Sequence, residues 1–174
     1  NDGILHTINT VEGTKARNSM HNRLKADAFL PCGGRPNTMD VSNYQHFFLG
    51  EDDIGRKIPS SRLIVEGANL FISNEARQKL FEEAGVKIVK DSSANKGGVI
   101  TSSYEICAAM LLDNEEEKFF ENKEQIVGEV LGKIRELAKM EGELLFREFE
   151  NVGDGSSLPE VSEIISDSIN IATD

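Results

Sequence analysis

What most limits the fold of this chain is a rhythm of short apolar runs, each closed by small and polar residues. Ala26-Asp27-Ala28-Phe29-Leu30 ends at Pro31-Cys32-Gly33-Gly34. Arg62-Leu63-Ile64-Val65 ends at Glu66-Gly67-Ala68-Asn69, and Val86-Lys87-Ile88-Val89 ends at Lys90 and Asp91, with Asn95, Gly97 and Gly98 just beyond. Such lengths suit strands, and the last two runs carry β-branched residues. Residues 4–8 are a weaker strand candidate. Between the runs the spacing predicts helices. Ser73 can cap one from Asn74 to about Ala84, where Gly85 stops it. Residues 39–49 read as another, closed by Gly50. Strands alternating with helices at this spacing argue for parallel β-α-β units.

The pattern changes after Asn95. Residues 99–112 read as a largely apolar helix, expected to pack on the sheet. Glu115, Glu116 and Glu117 then suit the first turn of one long helix, where negative charge favours the dipole. Its apolar positions are Phe119, Ile126, Val130, Ile134, Leu137, Leu144 and Leu145, interrupted by Gly128, Gly132 and Gly142. Residues 151–157 read as a loop. Ser157 and Glu160 form a capping box for a last helix carrying Val161, Ile164, Ile165, Ile169 and Ile171. The expected architecture is α/β: a partial, Rossmann-like parallel sheet with flanking helices over residues 1–112, followed by a helical segment over 113–174.

Composition narrows the partners. A net charge of −11 repels phosphate backbones and argues against nucleic acid. No apolar run approaches the length of a membrane span, and no basic amphipathic helix is present. Two cysteines, Cys32 and Cys107, are too few for a disulfide framework and suit an intracellular protein. His6, His21 and His46 lack metal-ligand spacing. The first residue is Asn, so the numbering is expected to begin inside a longer chain.

In an open parallel sheet, ligands bind beyond the carboxyl ends of the strands. Glycine there permits close backbone approach, and asparagine can donate and accept hydrogen bonds at once, as a carboxamide requires. Ordinary βα turns are also rich in Gly, Asn and Ser, so spacing alone leaves a ligand site and plain turns equally open.

Three segments tip that balance. Ala26-Asp27-Ala28-Phe29-Leu30-Pro31-Cys32-Gly33-Gly34-Arg35-Pro36, Leu63-Ile64-Val65-Glu66-Gly67-Ala68-Asn69-Leu70-Phe71 and Lys90-Asp91-Ser92-Ser93-Ala94-Asn95-Lys96-Gly97-Gly98-Val99 resemble, in order, the "ADxFxPxGGRP", "IVEGANLF" and "KDxxxNKGGV" segments of the large NAD-specific glutamate dehydrogenases. Glu75-Ala76-Arg77 falls where that family has it. The resemblance covers residues 20–112.

It implies NAD as cofactor, with Cys32 and Gly33 along the nicotinamide ribose, Gly67 and Asn69 in the second turn, and Asn95 near the nicotinamide amide and ribose. Ser102 falls where the family contacts the substrate's side-chain carboxylate, with Ser103 the alternative in a shifted register. Glu66 reads as a structural carboxylate, and Arg35 as a residue that fixes its loop. The implied reaction is oxidative deamination of L-glutamate to 2-oxoglutarate and ammonia, in a homo-oligomer of the cytosol or mitochondrial matrix. No segment resembles the family's lysine-bearing stretch or a G-x-G-x-x-G turn. The 174 residues alone are therefore expected to be inactive, with no catalytic residue assigned among them. The competing readings are a leucine- or phenylalanine-type dehydrogenase on the same fold, and a non-catalytic regulatory module with a degenerate nucleotide fold.

Overall fold

The computed structural model describes residues 9–112, 116–153 and 155–173. The chain divides into two compact units, residues 1–89 and 90–174. The expected strand at residues 4–8 lies outside the described residues.

The first unit opens with helix α1 (Val11–Asn18), whose N-terminus is capped by Thr10 Oγ1 accepting from the Gly13 N–H at 3.0 Å. The three apolar runs become strands β1 (Ala26–Phe29), β4 (Ser61–Val65) and β5 (Lys87–Val89). They form one parallel sheet in the order β1-β4-β5. Phe29 faces Ile64, and Val65 faces Val89, so the carboxyl ends of all three strands finish along one edge. Helix α2 (Asn74–Ala84) connects β4 to β5. Ser73 Oγ accepts from the Ala76 N–H at 3.2 Å, and Gly85 ends the helix at φ +62°, as Ser73 and Gly85 predict. Ala76 and Leu80 of α2 bury against Ile64, Val86 and Ile88, together with Met39, Phe47, Phe71 and Ile72.

The helix expected over residues 39–49 does not form. Met39 instead makes a parallel bridge to Ile72. Asp40 then turns the chain, its Oδ1 accepting from the Ser42 N–H at 2.8 Å, while the Asp40 N–H donates to Asn43 Oδ1 at 3.0 Å. Short polar side chains here outbid helical hydrogen bonding. Only a 3₁₀ turn survives (Tyr44–Phe47), placing Phe47 at 0% exposure. Strand β2 (Phe48–Glu51) follows and pairs antiparallel with β3 (Lys57–Pro59). This hairpin, absent from the sequence reading, turns at Asp52, whose Oδ1 accepts from the backbone N–H groups of Ile54 and Arg56 at 3.1 and 2.8 Å, with Gly55 at φ +79°.

The second unit is helical: α3 (Asp91–Ala94), α4 (Gly97–Leu112), α5 (Glu116–Glu121), α6 (Lys123–Val152) and α7 (Leu158–Thr173). α4 buries none of its residues, although it was expected to pack as an apolar helix. The single long helix expected after residue 113 is broken at Asn122, whose side-chain N–H donates back to the Lys118 carbonyl at 2.8 Å. Beyond the break, Ile126, Val130, Ile134, Leu137 and Leu144 are half-buried and Leu145 is buried. α6 continues through Asn151 and Val152, two residues into the expected loop, and stops at Gly153 with φ +80°. The capping box forms as read: Glu160 Oε2 accepts from the Ser157 N–H at 2.6 Å, and the Glu160 N–H donates to Ser157 Oγ at 3.4 Å. Leu158 and Val161 are buried behind it.

Candidate functional site

The turns after β1 and β4 are built against each other. A Cβ placed on Gly67 would stand 3.2 Å from Cys32 Sγ and 3.4 Å from the Pro31 carbonyl oxygen, a tight fit that glycine avoids where the two turns approach. Further out, main-chain hydrogen bonds lace the two segments together. The Asn37 N–H donates to the Leu70 carbonyl at 2.7 Å, Met39 to Phe71 at 3.0 Å, and Ser73 back to Met39 at 2.9 Å. Gly34, at φ +137°, lies over the Phe71 ring; a Cβ there would fall 2.8 Å from Phe71 Cε2. Cys32, Gly33 and Asn69 remain exposed. A Cβ on Gly33 would meet nothing within 4 Å, so the space over that residue is open. This edge presents open turn backbone at Gly33 beside two exposed residues with polar side chains, Cys32 and Asn69.

Glu66 sits beneath the second turn at 0% exposure. Arg77 of α2 grips its carboxylate through two bonds of 2.7 Å, from Nε to Oε1 and from Nη2 to Oε2. Arg77 Nη1 also donates to Asn74 Oδ1 at 2.6 Å. The Glu66 N–H donates to the Val89 carbonyl at 3.0 Å, joining the carboxyl ends of β4 and β5. Glu66 is structural, as its place at a strand end suggested. Arg77, Gly34 and Phe71 stand in the segments that carry the resemblance, but the sequence reading gave none of them a role of its own. The doubled glycine was the available signal for Gly34, whereas nothing local marks Arg77 as the partner of a residue eleven positions earlier.

Asn95 and Ser102 belong to the second unit. Asn95 is half-buried between α3 and α4, its N–H donating to the Asp91 carbonyl at 2.8 Å. It lines a cleft of about 820 Å³ whose walls include Lys96, Ile100, Ile134, Leu144 and Arg147. Lys96 Nζ bridges to Glu141 Oε1 of α6 at 2.7 Å. Ser102 is exposed on α4, while the neighbouring Ser103 turns its hydroxyl to the Val99 carbonyl at 3.1 Å. Among the described residues no group of three or more His, Cys, Asp or Glu side chains could hold a metal ion, and no helix is long and apolar enough to cross a membrane.

A parallel sheet with a laced, glycine-lined carboxyl edge belongs to the class of α/β folds that take ligands at that edge, and comparison with known proteins gives the family. Residues 2–152 match the family model of glutamate/leucine/phenylalanine/valine dehydrogenases, and the chain belongs to that family. A probable NAD-specific glutamate dehydrogenase of Schizosaccharomyces pombe is 49% identical over 102 residues, 59% of this chain and 9% of that protein. The NAD-specific glutamate dehydrogenase of Saccharomyces cerevisiae is 37% identical over 180 residues, covering 93% of this chain and 16% of its own length. Glutamate dehydrogenase 2 of Dictyostelium discoideum, 37% identical, covers 100% of this chain and 17% of its own length. The chain thus spans less than a fifth of the curated relatives it matches.

Proposed function

We propose that this chain is part of an NAD-dependent glutamate dehydrogenase. Residues 1–112 supply the later portion of the coenzyme-binding region, and 113–174 the helical segment that follows. The observation carrying this reading is the lacing of the Gly33–Gly34 turn to the segment bearing Gly67 and Asn69, at the carboxyl ends of adjacent parallel strands. The names of the relatives favour glutamate over the family's other amino-acid substrates.

In this reading NAD, when bound, accepts the hydride from the α-carbon of glutamate. The chain's own residues bind and orient. The open backbone at Cys32 and Gly33 takes the ribose, with Gly67 leaving room beside it. Asn69 and Asn95 offer amide donors and acceptors to the carboxamide and ribose. Ser102, with an exposed place on α4, is the substrate-carboxylate contact; Ser103 is the weaker candidate because its hydroxyl already bonds within the helix. The deprotonating lysine and the phosphate-binding turn belong to the rest of the longer protein, which is expected to be a homo-oligomer. The two free cysteines fit an intracellular enzyme, of cytosol or mitochondrial matrix.

The test compares the full-length protein with its Asn69→Ala and Asn95→Ala variants in glutamate-dependent NAD reduction. Full-length turnover is expected, with either substitution raising the NAD KM about tenfold, the loss of roughly one good hydrogen bond. The 174 residues alone should show none. Full-length protein that prefers leucine or phenylalanine, or variants with unchanged kcat and NAD KM, would refute the assignment.

A further inference from the structure

We propose that the buried Glu66–Arg77 pair is a positioning device that sets the turn carrying Gly67 and Asn69, and thereby governs coenzyme affinity. The inference rests on the reading above that this turn holds the coenzyme.

The pair sits where a simple plug would serve stability as well. A fully buried ion pair gains little over apolar side chains of similar volume, because desolvating two charges offsets their attraction. Glu66 is 0% exposed, and Arg77 is nearly as well buried. What an arginine fork on a carboxylate adds is direction. Two parallel N–H···O bonds fix both planes at once, which neither a lysine nor a methyl group can do. The third contact, Arg77 Nη1 to Asn74 Oδ1 at 2.6 Å, refers that direction to the first turn of α2.

The geometry then runs straight into the candidate site. Gly67 follows Glu66 directly, and its N–H donates back to the Val65 carbonyl at 3.1 Å, a tight turn. Three residues later Leu70 stands in the left-handed region at φ +52°, its carbonyl tied to the Asn37 N–H at 2.7 Å. Gly67, Ala68 and Asn69 are therefore held between two pins: the Glu66–Arg77 fork below, and the Leu70–Asn37 bond at the far end. Losing the fork frees the Glu66 carboxylate, weakens one pin and shifts the turn that carries Asn69 relative to Cys32 and Gly33.

The experiment uses the full-length protein with three changes: Glu66→Met combined with Arg77→Leu, Arg77→Lys alone, and Asn69→Ala alone. The paired apolar replacement should leave the thermal unfolding temperature near that of the parent, since it removes both charges together. It should raise the NAD KM about tenfold, by the same one-bond arithmetic, while leaving the glutamate KM within about twofold. Arg77→Lys keeps the charge and loses the fork, and should raise the NAD KM by a smaller factor with no change in the glutamate KM. A pair that only stabilises the fold predicts otherwise: a well-folded apolar double variant with the parental NAD KM, which would overturn the proposal. If the double variant does not fold, Arg77→Lys decides, and an unchanged NAD KM there overturns it. Asn69→Ala separates the two levels. If it raises the NAD KM while the pair variants do not, the positioning role fails and the site reading stands. If it leaves the NAD KM unchanged, the site reading fails and takes this inference with it.

Discussion

Replacing Gly34 with alanine should unfold the first unit's carboxyl edge, whereas the same change at Gly33 should be almost silent. The two glycines are adjacent, so composition, turn length and solvent exposure are matched. They differ in what a Cβ would meet. At Gly33 it meets nothing within 4 Å, and the residue is not among the positive-φ glycines. At Gly34 it falls 2.8 and 3.0 Å from two carbons of the Phe71 ring and 3.2 Å from Thr38 Oγ1, on a backbone at φ +137°. The backbone strain alone is worth about 1–3 kcal/mol. The ring has little room to yield, because Phe71 is buried and packs edge-on against Phe29 at a centroid distance of 5.9 Å. Overpacking of that kind adds about 1–3 kcal/mol, so Gly34→Ala should cost roughly 2–6 kcal/mol against roughly ±0.5 for Gly33→Ala. In urea, with a slope of about 1–2 kcal/mol per molar for a unit of this size, a loss near 3 kcal/mol lowers the midpoint by about 2 M. Tyrosine fluorescence of the 174-residue chain reports it: Tyr44 is buried in the first unit, its hydroxyl bonded to Glu83 at 2.7 Å, whereas Tyr104 is exposed. A Phe71→Leu background should recover part of the steric cost and none of the backbone cost. Equal midpoints for the two alanine variants would refute the reasoning. No coupling between Gly34→Ala and Phe71→Leu would refute its steric half.

His21, stacked on Phe29 at 5.0 Å with planes 9° apart, is half-buried, and burial lowers its pKa from the ordinary value of 6.5. The fold therefore prefers neutral imidazole. Its stability is fully present above about pH 6.5 and declines as pH falls towards the lowered folded value, where it levels off. A urea midpoint that drops between pH 7.5 and 5.5 in the parent, and drops less in His21→Phe, is expected; identical slopes would count against it. Gly132 lies within α6 with nothing within 4 Å of a Cβ, so Gly132→Ala should stabilise that helix by about 0.5–1 kcal/mol, read as a higher melting temperature by circular dichroism at 222 nm. Leu70→Gly removes a left-handed leucine and should be neutral or stabilising by up to about 1 kcal/mol, yet raise the NAD KM of the full-length protein. A clear loss of stability would show that φ +52° is not strained there.

The parts of this fold that could be read from sequence are those set by neighbours in the chain. The strand runs, the Ser73 and Gly85 limits of α2 and the Ser157–Glu160 box are all decided within a few residues, and they stand where the pattern put them. The misreadings share one cause. Residues 39–49 have an adequate helical spacing, but Asp40 and Asn43 have short side chains that bond the backbone better than a helix would, and Met39 finds Ile72, a partner more than thirty residues away. The β2–β3 hairpin was hidden because Phe48 and Leu49 were absorbed into that false helix, leaving Asp52 and Gly55 without a strand to turn. Asn122 broke the long helix by the same side-chain competition. α4 shows the reverse limit: its residues read as those of a buried helix, and burial is decided by whatever else is present to cover them.

The candidate site could be proposed from sequence for a related reason, and incompletely. Gly33, Gly67 and Asn69 drew notice because turn chemistry at strand ends is local. What joins them is not. The bonds from Asn37 to Leu70 and from Met39 to Phe71 use main-chain atoms only, so no side chain in either segment announces the pairing. Along the same edge Asn69 is exposed, and Leu70 is 57% exposed on a backbone that leucine seldom adopts. A turn selected for stability alone would place glycine or asparagine at φ +52°. Departures from local preference collect where a surface does something besides fold. Here a left-handed leucine and a glycine pressed on a ring fall within the two laced segments, and the Glu66–Arg77 pair ties the second of them to α2.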